Sequence, residues 1–503
     1  MVKSVLERHR PHETVRLDVN EWPRGQPLPR GANKPLASLL EPGLRRAVVL
    51  GVSLLLGSHR VLAQGLEAGG GVSAPGGSLA VGSKIDTGDT AWVLISAALV
   101  LLMTPGLAFF YSGMVRVKNV LATLFQNFAA LGAVGFVWGA VGYSLAFSGV
   151  GHPFIGDLSW TFLQGVGQEP NTDYAATIPH IAFMLFQCMF AVITPALITG
   201  AIAERLSFKA WVAVLALWSL FVYSPVAHWV WAVGGWIREL GGLDFAGGLV
   251  VHMTAGYSAL ALAVLLGRRK DFGVGEFRPY DSSYVIIGTG LLWFGWFGFN
   301  GGSALGANGL AAHACATTFF AAATAGISWA IMDTITRGKP SAIGGSVGVV
   351  AGLVAITPAA GFVPLWASFV IGGVTGVICN KAAVIVRERL KLDDSLDVFA
   401  CHGLGGTIGA VMTGVFASKA VNPAGADGLI YGNFAVLKAN FYGSVAVIAY
   451  SVVMSLVIYK LVSWIEPMRV SDEHEDEGLD TTQHGEVINS EIAVFKDTQR
   501  ASS

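Results

Sequence analysis

The sequence predicts an all-α integral membrane protein with eleven transmembrane helices, and three observations lead there. Only 13% of the 503 residues are charged, against 53% hydrophobic, and the mean hydropathy is +0.59. Soluble domains carry roughly 25% charged residues, so a chain of this length lacks the charge to cover a water-facing surface. Apolar runs recur from Thr90 onward, each of about 20 residues, the length that crosses a ~30 Å hydrocarbon core. Finally, Lys and Arg gather in alternate connections between the runs.

Taken in order, the polar and proline-containing residues 1–46 hold nine Lys/Arg against five acids. Arg45 and Arg46 then precede the apolar stretch Ala47–Gly57, and Val61-Leu62-Ala63 offers a small residue for cleavage. A charged region, a short apolar region and a small-residue site have the form of a secretory signal, too short to span a bilayer. Residues 1–63 are therefore expected to be a leader with a signal peptide, and residues 64–89 an external segment. The eleven spans are expected to begin near Thr90, Val120, Pro179, Lys209, Ala246, Tyr284, Ala311, Ala342, Val363, Phe399 and Ala435, within a membrane domain of residues 90–466. Residues 467–503 form an acidic tail, with nine acids against two bases from Ser471 onward.

Positive residues stay on the cytoplasmic side. Five alternate connections hold fourteen of them, from Arg116 and Lys118 through Arg205, Lys209, Arg268, Arg269, Lys270, Arg278, Arg337 and Lys339 to Lys381, Arg387, Arg389 and Lys391. The opposite connections hold Arg238, Lys419 and Lys438. This asymmetry puts the N-terminus outside and the C-terminus inside, as a cleaved signal followed by an odd number of spans requires. Eleven spans divide as two halves of five plus a final helix, and consecutive five-span halves have opposite topology, the inverted repeat of many transporters. Glycines such as Gly348, Gly352, Gly403, Gly406 and Gly409 allow close helix contact in lipid. Their spacing does not match a nucleotide-binding G-x-G-x-x-G. Cys188, Cys315, Cys379 and Cys401 lie in apolar stretches without metal-ligand spacing and read as packing residues.

A pI near 6.8 and the lack of a basic stripe argue against nucleic-acid binding. No nucleophile–base–acid arrangement or phosphate loop points to an enzyme, and no cofactor or metal is expected. Ionisable residues within a span are costly and mark function by default. His252 in the fifth span and His402 in the tenth occupy matching positions of the two halves and are candidates to face one another. Asp244, just outside the fifth span, is placed either to cap that helix or to stabilise a cation arriving from outside. Aromatic residues crowd the same level, Trp229, Trp231 and Trp236 before Asp244, and Phe294, Trp296, Phe297 and Phe299 in the sixth span. Beside Ser303 they form either an interfacial belt or a cation site made of ring faces and a hydroxyl.

The run Met103-Thr104-Pro105-Gly106-Leu107-Ala108-Phe109-Phe110-Tyr111, followed by Arg116-Val117-Lys118-Asn119-Val120, resembles the first-span signature of the ammonium transporter family, which includes the Rh proteins. Gly200-Ala201-Ile202-Ala203-Glu204-Arg205, Leu243-Asp244-Phe245-Ala246-Gly247-Gly248, Gly295-Trp296-Phe297-Gly298-Phe299-Asn300 and Asp397-Val398-Phe399-Ala400-Cys401-His402-Gly403 extend the likeness. The resemblance runs from about Thr90 to Glu486. It implies an external recruitment site of Trp231 and Ser303, with Asp244 needed for a competent site. It also implies a gate of two stacked phenylalanines, Phe190 and Phe299, above a pore lined by the hydrogen-bonded pair His252 and His402. Trp229 and Trp236 remain alternatives to Trp231, and Phe297 to Phe299, although Phe-Asn-Gly-Gly-Ser favours Phe299. The tail motifs Glu477-Gly478-Leu479-Asp480 and His484-Gly485-Glu486 resemble the family's cytoplasmic tail, which contacts neighbouring subunits and supports inhibition by PII signal proteins.

The family reading implies a homotrimer in the bacterial inner membrane that moves ammonium or ammonia. A Rh-type electroneutral gas channel and an ammonium sensor are the alternatives.

Overall fold

A chain in hydrocarbon must satisfy its backbone polar groups internally, so the apolar runs have little choice but to become helices. The structure, a computed structural model, describes residues 84–274 and 277–488. The expected signal peptide, most of the external segment and the tail beyond residue 488 lie outside the described residues. Among these there are only helices, turns and two isolated β-bridges, Asn171 with Ala175 and Leu206 with Arg469.

Among the described residues ten helices are long and apolar enough to cross a membrane. They are α1 Thr87–Ser112, α2 Val117–Phe147, α3 His180–Ile202, α4 Phe208–Glu239, α5 Gly248–Leu266, α6 Ser282–Gly301, α7 Gly309–Arg337, α9 Leu365–Arg389, α10 Phe399–Phe416 and α11 Ala435–Ser463. Between α7 and α9 lies the shorter apolar helix α8, Ala342–Ile356. It stops early because Pro358 has no N–H to continue the ladder, and the chain runs on in turns through Gly361. Each predicted start falls within three residues of an observed one. Side chains mark several of these starts: Asp86 accepts from the Asp89 N–H, Asp281 from Ser283, Asn308 from Ala311 and Ser341 from Gly344.

Small residues set the closest crossings. A methyl group on Gly256 would lie 2.0 Å from the Gly403 nitrogen, and one on Gly409 would lie 2.3 Å from the Ala355 carbonyl oxygen. The first contact brings α5 against α10 one turn after His252 and directly after His402. The four cysteines are free.

At one end of the bundle the basic connections form a buried ionic cluster. Glu204 bonds Arg116 at 2.9 Å and Arg269 at 3.0 Å, while Asp393 bonds Arg269 at 2.8 Å. Burial alone would raise the Glu204 carboxyl, but the Arg269 and Arg116 guanidiniums bring it below the usual carboxylate range. The acidic tail docks on the same end. Arg469 bonds Glu475 at 2.6 Å, and the Lys118 ammonium donates to the Glu475 carbonyl at 2.8 Å. Asp480 accepts from the N–H groups of Leu121 (3.1 Å) and Ala122 (2.8 Å), capping the start of α2. Burial raises its carboxyl to about 6.

Asp480→Ala removes that cap, a loss of about 1 kcal/mol. It is expected to speed hydrogen exchange across residues 471–488 severalfold while leaving exchange within the spans unchanged. Equal exchange in the two proteins would remove Asp480 as the anchor.

Candidate functional site

The site is built where α5 starts, at the end opposite the ionic cluster. Asp244 accepts four backbone N–H bonds, from Gly247 (2.8 Å) and Gly248 (2.6 Å) on Oδ1 and from Leu249 (2.8 Å) and Val250 (3.2 Å) on Oδ2. Gly247 has φ +118°, a left-handed value that glycine adopts without strain, and it turns the chain so that these groups converge. Both carboxylate oxygens therefore serve the helix end, and Asp244 caps α5. Its carbonyl accepts from Trp231 Nε1 at 2.9 Å, so the same turn holds the indole.

Trp231, Ser303, Phe190 and Gln187 line a cavity of ≈ 210 Å³, together with Asp173, Tyr174 and Arg238. Trp229 points elsewhere, donating to the Phe154 carbonyl at 2.7 Å and contacting Trp236. Ser303 Oγ donates to the Phe299 carbonyl at 2.9 Å, which ties the hydroxyl to the floor of the cavity. That floor is aromatic: Phe190 and Phe299 have centroids 4.2 Å apart at 34°, and Phe190 meets Trp231 edge-on at 6.1 Å. Both phenylalanines are buried.

A second, much smaller space of ≈ 10 Å³ lies against Phe299, bounded by Leu107, Ile193, Val251, Trp296, His252 and His402 among others. That is about the room one water needs, and a hydrated cation does not fit. The two histidines face each other with Nδ1 atoms 3.3 Å apart, and His252 Nε2 lies 3.3 Å from Thr357 Oγ1. Trp296 and Phe299 stack against the His252 ring at 5.5 and 6.0 Å.

Three of these residues share a local irregularity. His252 lies in the π-helical turn Gly248–Met253, His402 in Phe399–Leu404 and Phe299 in Phe297–Gly301. One extra residue per turn re-aims a side chain and often marks functional positions. Asp394, eight residues before His402, accepts from the N–H groups of Val398 (3.0 Å) and Phe399 (2.7 Å). Asp244 stands the same eight residues before His252. Burial, with a smaller push from Asp397, raises the Asp394 carboxyl to about 7.

The structure brings all seven predicted residues into one neighbourhood: Trp231, Ser303 and Phe190 line the larger cavity, Asp244 caps α5 behind Trp231, Phe299 packs on Phe190, and His252 and His402 bound the small space with Phe299. The sequence reading missed Gln187, Thr357 and the lumen-facing position of Trp296. Polar groups inside apolar runs, a glutamine and a Thr-Pro pair, were the available signal.

A sequence model described as the Ammonium Transporter Family matches residues 91–488. The chain belongs to the ammonium transporter family. Relatives within it include the ammonium transporter of Bacillus subtilis, 48% identical over 79% of this chain and 98% of its own length. Ammonium transporter Amt1 of Archaeoglobus fulgidus is 44% identical over 80% of this chain and 98% of its own. The crystal structure of Saccharomyces cerevisiae Mep2 superposes with a TM-score of 0.73 at 38% identity, covering 78% of this chain and 89% of that one. A structure titled Sensor Amt Protein matches with a TM-score of 0.72 at 30% identity, over 79% of this chain and 98% of that one. The family fold is all-helical and membrane-spanning, and these two relatives from B. subtilis and A. fulgidus are named as transporters.

Proposed function

We propose that the chain is an ammonium transporter that recruits NH4+ at Trp231 and Ser303, removes a proton there, and conducts NH3 past Phe190 and Phe299 to the pair His252 and His402. The observation that carries this reading is the small, largely apolar-lined space of ≈ 10 Å³ under the ring pair, bounded by two imidazoles. Stripping water from an ion costs tens of kcal/mol by Born arguments. Each ring face returns only about 0.5–2 kcal/mol. A bare cation therefore stops at the mouth, where Trp231, Phe190 and the Ser303 hydroxyl hold it beside water that can take its proton. Neutral ammonia continues at far smaller cost. The imidazole pair gives it a polar partner in an otherwise apolar lumen and offers the separated proton a relay. Asp244 acts through the cap and the Trp231 bond, which keep the mouth in shape. Potassium has no proton to release and is excluded by the same step.

The reading extends to eleven spans with an inverted 5+5 repeat, α8 counted among them, the N-terminus outside and the C-terminus inside. Equal Asp-to-His spacing in α5 and α10 supports the repeat, and the basic residues of the ionic cluster support the orientation. It further includes a homotrimer in the bacterial inner membrane, with a PII-type signal protein at the basic face. The sensor reading draws on the likeness to the sensor protein and on the docked tail.

Current evoked by an ammonium jump in reconstituted vesicles, with and without a pH gradient, tests the mechanism. Ammonium current without potassium current is expected. Uptake without charge movement would favour the gas-channel reading, and no uptake would favour the sensor. Trp231→Leu is expected to raise the half-saturating ammonium concentration about tenfold, from ~1–2 kcal/mol of lost cation–π contact, with the limiting current kept within about twofold. An unchanged half-saturation would take Trp231 out of the site.

A further inference from the structure

Thr357 closes the end of α8, and its hydroxyl meets three partners. It lies 2.7 Å from the Leu353 carbonyl oxygen, 2.9 Å from Trp296 Nε1 and 3.3 Å from His252 Nε2. A hydroxyl has one proton and two lone pairs. The Thr357 peptide N–H bonds the Val354 carbonyl instead, and position 358 is a proline, so the Leu353 carbonyl depends on the hydroxyl for its hydrogen bond. A carbonyl only accepts and an indole N–H only donates. The hydroxyl proton is therefore committed to Leu353 and one lone pair to Trp296. What faces His252 is the second lone pair, and His252 Nε2 must carry the hydrogen that fills it.

An uncharged imidazole has one N–H, which leaves His252 Nδ1 as a bare acceptor. His402 Nδ1, 3.3 Å away, must then be the donor between the rings. By the same count His402 Nε2 is bare.

We propose that Thr357 is a positioning residue that fixes the direction of the hydrogen bond between the two imidazoles, so that His402 Nε2 is the one free basic nitrogen of the pair. Ammonia descending from Phe299 then finds no lone pair on His252, and the first imidazole nitrogen able to accept one of its N–H groups is the deeper one. The conducting role of the pair rests on the function proposed above; the hydrogen-bond direction does not.

Nitrogen-15 NMR of the imidazoles in the reconstituted full chain reads protonated and bare nitrogens separately. The signals are assigned by their loss in His252→Gln and His402→Gln. The expected spectrum has His252 protonated at Nε2 and His402 at Nδ1. Thr357→Val, close in shape but without the hydroxyl, should blur this into a mixture of both tautomers. It should also lower the ammonium current about tenfold, as one lost hydrogen bond would. Thr357→Ser should restore both the spectrum and the current. A wild-type His252 bare at Nε2, or a valine variant with unchanged spectrum and current, would overturn the assignment. Should the valine variant fail to fold, the wild-type and serine spectra still decide it. If the wild type carries no ammonium current, the transport reading falls while the nitrogen signals stand or fall on their own.

Discussion

Replacing His402 by alanine is expected to abolish the ammonium-evoked current of the reconstituted protein, and His252→Ala to do the same, while both variants still fold. Each ring is almost fully buried, and the two are the ionisable side chains bounding the space of ≈ 10 Å³ beside Phe299. Removing either leaves the other without its hydrogen-bond partner across the lumen, and an apolar stretch with nothing to hold ammonia or pass on a proton. A fold held by ten long helices tolerates a cavity, which costs about 2–5 kcal/mol for a side chain of this size in a core. Monodisperse elution and unchanged helix content in detergent would establish that the variants fold. Undiminished current in both would eliminate the imidazoles from proton transfer.

Glu204→Ala should be the most destabilising single change outside the pore, by about 3–5 kcal/mol, because it strands buried charges that were paired. Glu204 is fully sequestered, and its carboxylate bridges Arg116, next to the first turn of α2, to Arg269, after α5. Arg269 also grips Asp393, which precedes α10, so with Glu204 itself, between α3 and α4, the cluster ties four connections together. A clear fall in the thermal denaturation midpoint in detergent is expected, and a midpoint within about a degree of the parent's would show the cluster to be ornamental. The same cluster gives a pH signature. Glu204 and Asp393 are both held below the ordinary carboxylate range, after burial that acts the other way, chiefly by Arg269 and its neighbours. A depressed carboxyl contributes stability that is present above the unfolded value near 4 and is lost as pH falls through the lower folded value. Denaturation midpoints should therefore drop once the pH falls below about 4, whereas between neutrality and that point the raised carboxyls of Asp394 and Asp480 act the other way and favour the folded state as they take up protons.

Much of the fold was legible because lipid leaves few options. Apolar runs become helices, and they begin within three residues of the predicted starts. The pairing of His252 with His402 was legible from their matching places in two five-span halves, and the Phe-Asn-Gly-Gly-Ser run pointed to the ring that floors the cavity. Other features were hidden for definite reasons. A π-helical turn depends on one hydrogen bond slipping by a residue, which side-chain patterning does not register. The Thr357 network joins residues from three separate helices, so no local window contains it. Where the tail docks was hidden because its partners are far off in the chain: Lys118 donates to the Glu475 carbonyl, Asn119 accepts from the Leu479 N–H at 2.9 Å, and the start of α2 donates to Asp480. Asp244 was ambiguous because a capping carboxylate and a cation-binding one look alike until their oxygens are counted.

The contact between Gly256 and Gly403 has a consequence for how the imidazole pair tolerates change. The α-hydrogens of these two glycines are the spacers that set how closely α5 and α10 approach, and neither glycine bounds the small space beside the rings. A single methyl on Gly256 works as a shim: at 2.0 Å from the Gly403 nitrogen and 2.8 Å from the His402 carbonyl carbon, it wedges the helices apart and the rings with them. The pair is thus vulnerable at a spot its own cavity does not reach.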